Sequence, residues 1–260
     1  MVLKKKLQSY FNKRCKGILK NLALVSISKD TEAIHELRLE QKKIKAIASL
    51  LKQADKNKNF STKVLKPMVK VTGIIRMAEM NLKILHDHEF TNLNLEREQN
   101  SIIENGYTLI SGNTEEYKEA VRTLEKHFDQ EVDDLKNNDA KNYFTTIISE
   151  LSIDFLWPVD KDRLHENRKK IKNLIYAIKV LPPKLQENIG LNIKYLEQLQ
   201  EGIGQWHDYK LTLDLLDQHE LNNEPVYFTI RHKETELLVE IKKEVAFFDK
   251  KIVMKEESSE

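Results

Sequence analysis

One basic pattern occurs twice in this chain of 260 residues, 130 residues apart. The first copy reads Ile34-His35-Glu36-Leu37-Arg38 and continues to Lys42, Lys43 and Lys45. The second reads Leu164-His165-Glu166-Asn167-Arg168 and continues to Lys169, Lys170 and Lys172. An offset of half the chain implies two related halves that present the same charged surface. If the two surfaces face each other, they make a site for a polyanion.

The pattern has helical spacing. At about 100° per residue, Lys42, Arg38 and Lys45 lie within about 80° of His35, and Leu37, Ile44, Ala48 and Leu51 fall roughly opposite, toward a core. In the second copy Lys172, Arg168 and Lys179 fall about 20–60° from His165, with Leu174, Ile178 and Leu181 across the helix and Tyr176 flanking the stripe. Residues three or four apart stand about 5 Å apart along the axis, so such a row suits a linear anion with many charges. Arg grips phosphate oxygens as a fork, Lys is a mobile point charge, and His adds a charge that depends on pH. A single charged stripe is most often a solvated face, and Glu36, Glu40 and Glu166 can form ordinary i,i+4 pairs. Solvation does not require His, Arg and Lys at matched spacings twice.

Composition supports an all-α reading. Gly (7) and Pro (5) are scarce and 32% of residues are charged, whereas strand-rich folds need many turn residues. Lone Cys15 excludes an intramolecular disulfide and fits a reducing compartment. No 18-residue apolar run and no apolar stretch after Lys4, Lys5 and Lys6 is present, so a soluble cytoplasmic protein is expected. The net charge is only +2, but residues 1–70 carry a balance of +13 and the remainder −11. A local anion site follows better from this than general stickiness.

Long helices are expected over about 2–25, 30–54, 61–85 and, more weakly, 93–107. Asp30 or Thr31 caps the second of these. Ser111-Gly112-Asn113-Thr114 is the expected boundary between the halves. The second half is expected to run 115–135, a break at Asn137-Asn138-Asp139, 141–156, a motif helix capped by Asp160 and ending at Leu181, and a long helix 185–216 with Gly202 and Gly204 as weak points. A last helix ends near Val253, although Val226–Ile230 has local strand propensity. Asn57-Lys58-Asn59 is read as a polar break.

These residues resemble the CHAD family, the conserved-histidine α-helical domain. The family pattern is His, then Arg three later, then basic residues at seven, eight and ten. His35, Arg38, Lys42, Lys43 and Lys45 fill all five positions; His165, Arg168 and Lys172 fill three, with Asn173 and Ile175 in the last two and Tyr176 matching an aromatic that often follows. A later Gly-to-Asp segment matches at Ile203-Gly204-Gln205-Trp206-His207-Asp208. Its counterpart Thr72-Gly73-Ile74-Ile75-Arg76 keeps the Gly and Arg but has Met77 at the Asp position. The resemblance covers roughly residues 20–255.

The resemblance implies two pseudo-symmetric antiparallel helical bundles flanking a basic cleft, and binding of inorganic polyphosphate. One domain is expected over 1–255, with halves of about 1–112 and 113–255 meeting at the Ser111–Thr114 boundary, and the acidic, small residues of 256–260 read as a disordered tail. The expected binding residues are His35, Arg38, Lys42, Lys43, Lys45, Arg76, His165, Arg168, Lys169, Lys172, Tyr176 and Lys179, with Asp208 supporting. Family members sit beside triphosphate tunnel domains or on polyphosphate granules. No Glu-x-Glu-x-Lys signature is present, so a stand-alone, non-enzymatic module without cofactor or metal is expected.

The residues admit two other readings, each with less support. Single-strand nucleic-acid binders stack bases on aromatics, and only Tyr176 lies near a stripe. A metal-dependent phosphate-ester hydrolase needs metal-holding carboxylates and a placed base, and the stripes offer cations. His86-Asp87-His88 reads better as a polar helix end than as a metal site. His207-Asp208 reads as part of a packing and ion-pair set, and Cys15 as a bystander.

Overall fold

The computed structural model describes residues 2–54, 60–132, 135–156 and 159–254. Among these residues eleven α-helices follow in order: α1 (Val2–Ser28), α2 (Thr31–Ala54), α3 (Lys66–Asp87), α4 (Leu93–Gly112), α5 (Thr114–Glu131), α6 (Asn137–Asp154), α7 (Lys161–Ile178), α8 (Pro183–Ile189), α9 (Ile193–Gln218), α10 (Pro225–Val245) and α11 (Phe248–Lys251). The fold is all-α, and no strand forms among the described residues; Leu191 and Val253 make one isolated bridge.

Both motif helices start where an aspartate can satisfy free backbone N–H groups. Asp30 Oδ1 accepts from the backbone N–H of Glu32 (2.8 Å) and Ala33 (3.1 Å), and Asp160 Oδ1 from that of Asp162 (2.9 Å). The apolar stripes then face inward as their spacing predicts: Leu37, Ile44, Leu51, Leu174 and Leu181 are fully buried, and Ala48 and Ile178 nearly so. Helix α1 contributes Leu7, Phe11, Cys15, Ile18, Leu22 and Val25 at three- and four-residue intervals, all buried. Phe11 stacks on Phe128 of α5 with centroids 3.8 Å apart, and Phe60 meets both edge-on. The main apolar cluster runs without interruption from Leu3 to Ile252 and draws on residues before and after Asn113. A smaller one joins Ile84, Leu85 and Leu95 to Leu213, Leu216, Val226 and Ile230.

Four helices pack in a closed circuit: α2 on α7, α7 on α9, α9 on α3, and α3 back on α2. The buried polar contacts between α3 and α2 and between α3 and α9 suit this circuit. Thr72 of α3 donates to Gln41 of α2 (3.5 Å), and Thr212 of α9 donates to Asn81 of α3 (3.1 Å).

Several helix ends differ from those read in the sequence. Asn137-Asn138-Asp139 opens α6 instead of breaking a helix, because the Asp139 carboxylate turns back to accept from the Lys136 N–H (3.0 Å). Residues 185–216 do not form one helix. The chain turns at Gly190, whose φ of +62° only glycine adopts freely, and Asn192 caps a new helix through the Tyr195 N–H. Gly202 and Gly204 lie within α9 without interrupting it. Helix α4 runs on to Gly112, so only Asn113 separates it from α5. Val226–Ile230 is helical in α10, where Val226 and Ile230 bury one turn apart. Asn57-Lys58-Asn59 and the expected tail at 256–260 lie outside the described residues.

Candidate functional site

Two glycines bring the motif arginines against neighbouring helices. On α9, a Cβ added to Gly204 would lie 2.8 Å from Cζ and 2.9 Å from Nε of Arg168, closer than real side chains pack. The Arg168 Nε–H donates to the Gln200 carbonyl (3.0 Å), one turn before Gly204. On α3, a Cβ added to Gly73 would lie 3.2 Å from Nη1 of Arg38. Each guanidinium thus rests on bare helix backbone on the side of the circuit where α2 meets α7.

Two adjoining hollows open there. The larger, about 510 Å³, is lined by Arg38, Lys42 and Lys45 of α2 and by His165, Arg168, Lys169, Lys172 and Asn173 of α7, with Lys63 and Lys66 at the approach to α3. The smaller, about 290 Å³, is lined by His35, Arg76, Met77, His207 and Asp208. Arg38, Lys42, His165, Arg168 and Lys172 line both and form the wall they share.

The electrostatics of that wall are unbalanced. Burial comes first in lowering the pKa of Lys42, with Lys172, Arg38 and Arg168 adding to it, and brings it to about 7. Lys172 falls to about 8 from burial and from Arg168 and Arg38. Burial and neighbouring cations also lower Arg38, although a guanidinium stays charged at any physiological pH. Burial lowers His35, with Arg76 adding, and lowers His165, with Lys169 adding; His207 drops to about 4 from burial and from His165, whose ring centre is 4.2 Å away. Among the described residues, Asp208 is the one carboxylate lining these hollows. Burial raises its pKa, while Arg168, Arg76, Lys42 and Lys172 pull it down. Buried cations normally pair with carboxylates. Met77, an uncharged side chain, also lines the smaller hollow.

Not every residue of the sequence-predicted set gathers at this wall. Lys43 turns the other way and pairs with Glu40 (2.8 Å), which Arg14 of α1 also holds (2.9 Å). Lys43 is about 100° around the helix from Lys42, so it leaves the stripe. Lys179 is exposed and pairs with Glu197 (3.3 Å). Tyr176 is half-buried close to Arg168 and lines neither hollow. Lys169 lines the larger hollow while pairing with Glu166 (2.6 Å). Arg76 lines the smaller hollow, 3.5 Å from Glu79. Lys63, Lys66 and His207 were not expected. The first two stand three apart in the strongly basic first 70 residues, and that spacing is the signal that could have found them.

The remaining candidates are locally satisfied. His86 faces Glu96 (3.5 Å), and His88 bonds the Tyr209 hydroxyl (3.3 Å) at the end of α3. No cluster of three or more His, Cys, Asp or Glu suited to a metal ion occurs among the described residues. None of the described helices is long and apolar enough to cross a membrane. Cys15 is buried, and its surroundings push its thiol pKa up.

The sequence matches the family model described as the CHAD domain over residues 9–217, from within α1 to the end of α9. The crystal structure of the CHAD domain from the plant Ricinus communis superposes with a TM-score of 0.63 at 16% identity, covering 95% of this chain and 89% of that one. At that identity the likeness is one of fold. No curated protein matches the chain. With a family match over most of its length and a fold of the same kind, the chain belongs to the CHAD family.

Proposed function

We propose that this protein binds inorganic polyphosphate in a basic cleft between α2 and α7, as a non-catalytic module. One observation carries the reading: six cations from two helices, Arg38, Lys42, Lys45, Arg168, Lys169 and Lys172, line one hollow in which no carboxylate stands among the described residues. Each half supplies Arg and Lys at the same helical spacing, and each Arg rests on a glycine of its own half, Gly73 or Gly204. On this reading the two halves, about 1–112 and 113–255, form one domain with pseudo-two-fold symmetry about the cleft, and the protein works in the cytoplasm.

The energetics favour a long anion. Like charges in a partly buried site repel by up to a few kcal/mol per close pair. A linear chain of phosphates turns those repulsions into attractions and releases its own condensed counterions. Lys63 and Lys66 extend the cationic path beyond the paired motifs.

Titration of the full chain with long-chain polyphosphate, in competition with RNA of matched charge, tests this. Tight polyphosphate binding that RNA displaces poorly is expected, and the Arg38→Glu/Arg168→Glu double variant is expected to lose it. Equal affinity for RNA favours a nucleic-acid ligand. Unchanged polyphosphate affinity in the double variant refutes the assignment.

A further inference from the structure

Among the described residues, Lys42 and Lys172 line both hollows and lack the ion pairs that other lysines of the motif helices make. Lys43, Lys169, Lys170 and Lys179 each hold a carboxylate within 3.3 Å. Among the described residues, no carboxylate lies within ion-pairing distance of Lys42. Its neighbours are Arg38 on its own helix, Arg168, Lys172 and His165 from α7, and Asp208 alone from α9. It lines both hollows and can be approached from either. We propose that Lys42 is an acylation site for small acyl phosphates, whose phosphoryl group is held by Arg38, Arg168 and Lys172 while the amine attacks the carbonyl carbon.

The inference rests on the anion-binding reading of this site and adds a covalent step to it. A lysine becomes a nucleophile when desolvation and neighbouring cations keep it neutral. Lys42 meets both conditions, and its pKa of about 7 follows. A bound phosphate monoester has no electrophilic carbon next to its phosphate. An acyl phosphate does, and its phosphate is the leaving group. The cations that bind the donor then stabilise the charge that develops as the acyl C–O bond breaks. The new bond joins Nζ to the acyl carbon, the electron pair of the broken bond leaves on phosphate, and the amine proton follows it. The products are a neutral amide on Lys42 and hydrogen phosphate. No oxidant, reductant or metal is consumed. The amide removes one charge from the shared wall, so acylation opposes polyanion binding, and a bound polyanion blocks acylation.

The full-length protein, incubated with acetyl phosphate near neutral pH, is digested and its acetyl-lysines quantified against time. Lys42 is expected to react at least about tenfold faster than Lys20 and Lys70, which are exposed on the surface away from both hollows. Excess inorganic phosphate should suppress that preference. With p-nitrophenyl acetate, a donor that carries no phosphate, the preference should shrink. A flat profile with acetyl phosphate overturns the proposal, and so does a preference that is as large with the uncharged donor. Polyphosphate affinity measured on the same preparation separates the two readings. Tight binding with a flat lysine profile overturns the acylation alone. A Lys42 preference without polyphosphate binding supports acylation and overturns the ligand assignment.

Discussion

The Arg168 guanidinium occupies the space that a side chain at Gly204 would fill, with Cζ only 2.8 Å from where that Cβ would sit. Alanine is the better helix former by about 1 kcal/mol, so a glycine in mid-helix has a local cost. Here it admits a cation from α7 to the backbone of α9. Gly204→Ala should therefore lower the melting temperature despite the gain in helix propensity, because overpacking costs about 1–3 kcal/mol. Polyphosphate affinity should fall by at least about tenfold, the value of one charge-assisted contact. Gly73→Ala, where the added atom would lie 3.2 Å from Arg38, should do the same more weakly. Thermal melts and binding titrations of both variants check this.

Stability and binding should respond to pH in opposite directions. Lys42 and Lys172 titrate near 7 and 8 in the folded chain and near the ordinary lysine value once unfolded. Between those limits the unfolded state holds more protons, so the ligand-free protein gains stability as pH rises from about 7 to about 10. Polyphosphate needs both ammonium groups charged, so its affinity should fall over the first two units of that range. Binding near pH 8 should take up protons, which titration calorimetry in buffers of different ionisation enthalpy measures.

Asp208 offsets part of the charge on Arg168, Arg76, Lys42 and Lys172. Asp208→Asn removes a carboxylate whose burial outweighs its attraction to those cations, and should leave the wall more positive without lowering the melting temperature of the ligand-free protein. The polyanion supplies the missing negative charge, so the rise in melting temperature on adding polyphosphate should be larger than in the unchanged protein. Paired melts with and without ligand decide it.

The cations divide by where they point. Lys63→Glu with Lys66→Glu reverses two charges at the approach to the hollow and should weaken polyphosphate binding and flatten its salt dependence. Lys179→Glu alters an exposed pair with Glu197 outside both hollows and should change affinity by less than about threefold. Affinity measured at several salt concentrations separates the two.

The motif helices were legible because their signals are local: an aspartate before the first turn, an apolar stripe, and cations on the opposite side. Which cations share one wall was less legible. Lys42 and Lys43 are neighbours in sequence, yet one lines the hollow and the other holds Glu40 on the far side. Their angles around the helix separate them, and the family pattern alone does not. Apolar periodicity continues on both sides of Gly190 and hides the turn there, while the low helix propensity of glycine marks Gly202 and Gly204 as breaks. Gly204 is instead where Arg168 comes in, a tertiary reason that no local pattern carries. Lys63, in the turn before α3, and Lys66, at the start of α3, reach the hollow through tertiary packing, a long-range fact of the same kind.

The central claim is that partly buried cations are kept at a cost to stability in order to hold a polyanion. Lys42→Met with Lys172→Met keeps the bulk of both side chains and removes both charges. Melting temperature and long-chain polyphosphate affinity, measured on this one variant, test the claim together. The account predicts a protein that melts higher than its parent and binds polyphosphate at least about a hundredfold more weakly, the loss of two charged contacts. A variant that binds polyphosphate as tightly as the parent would contradict it.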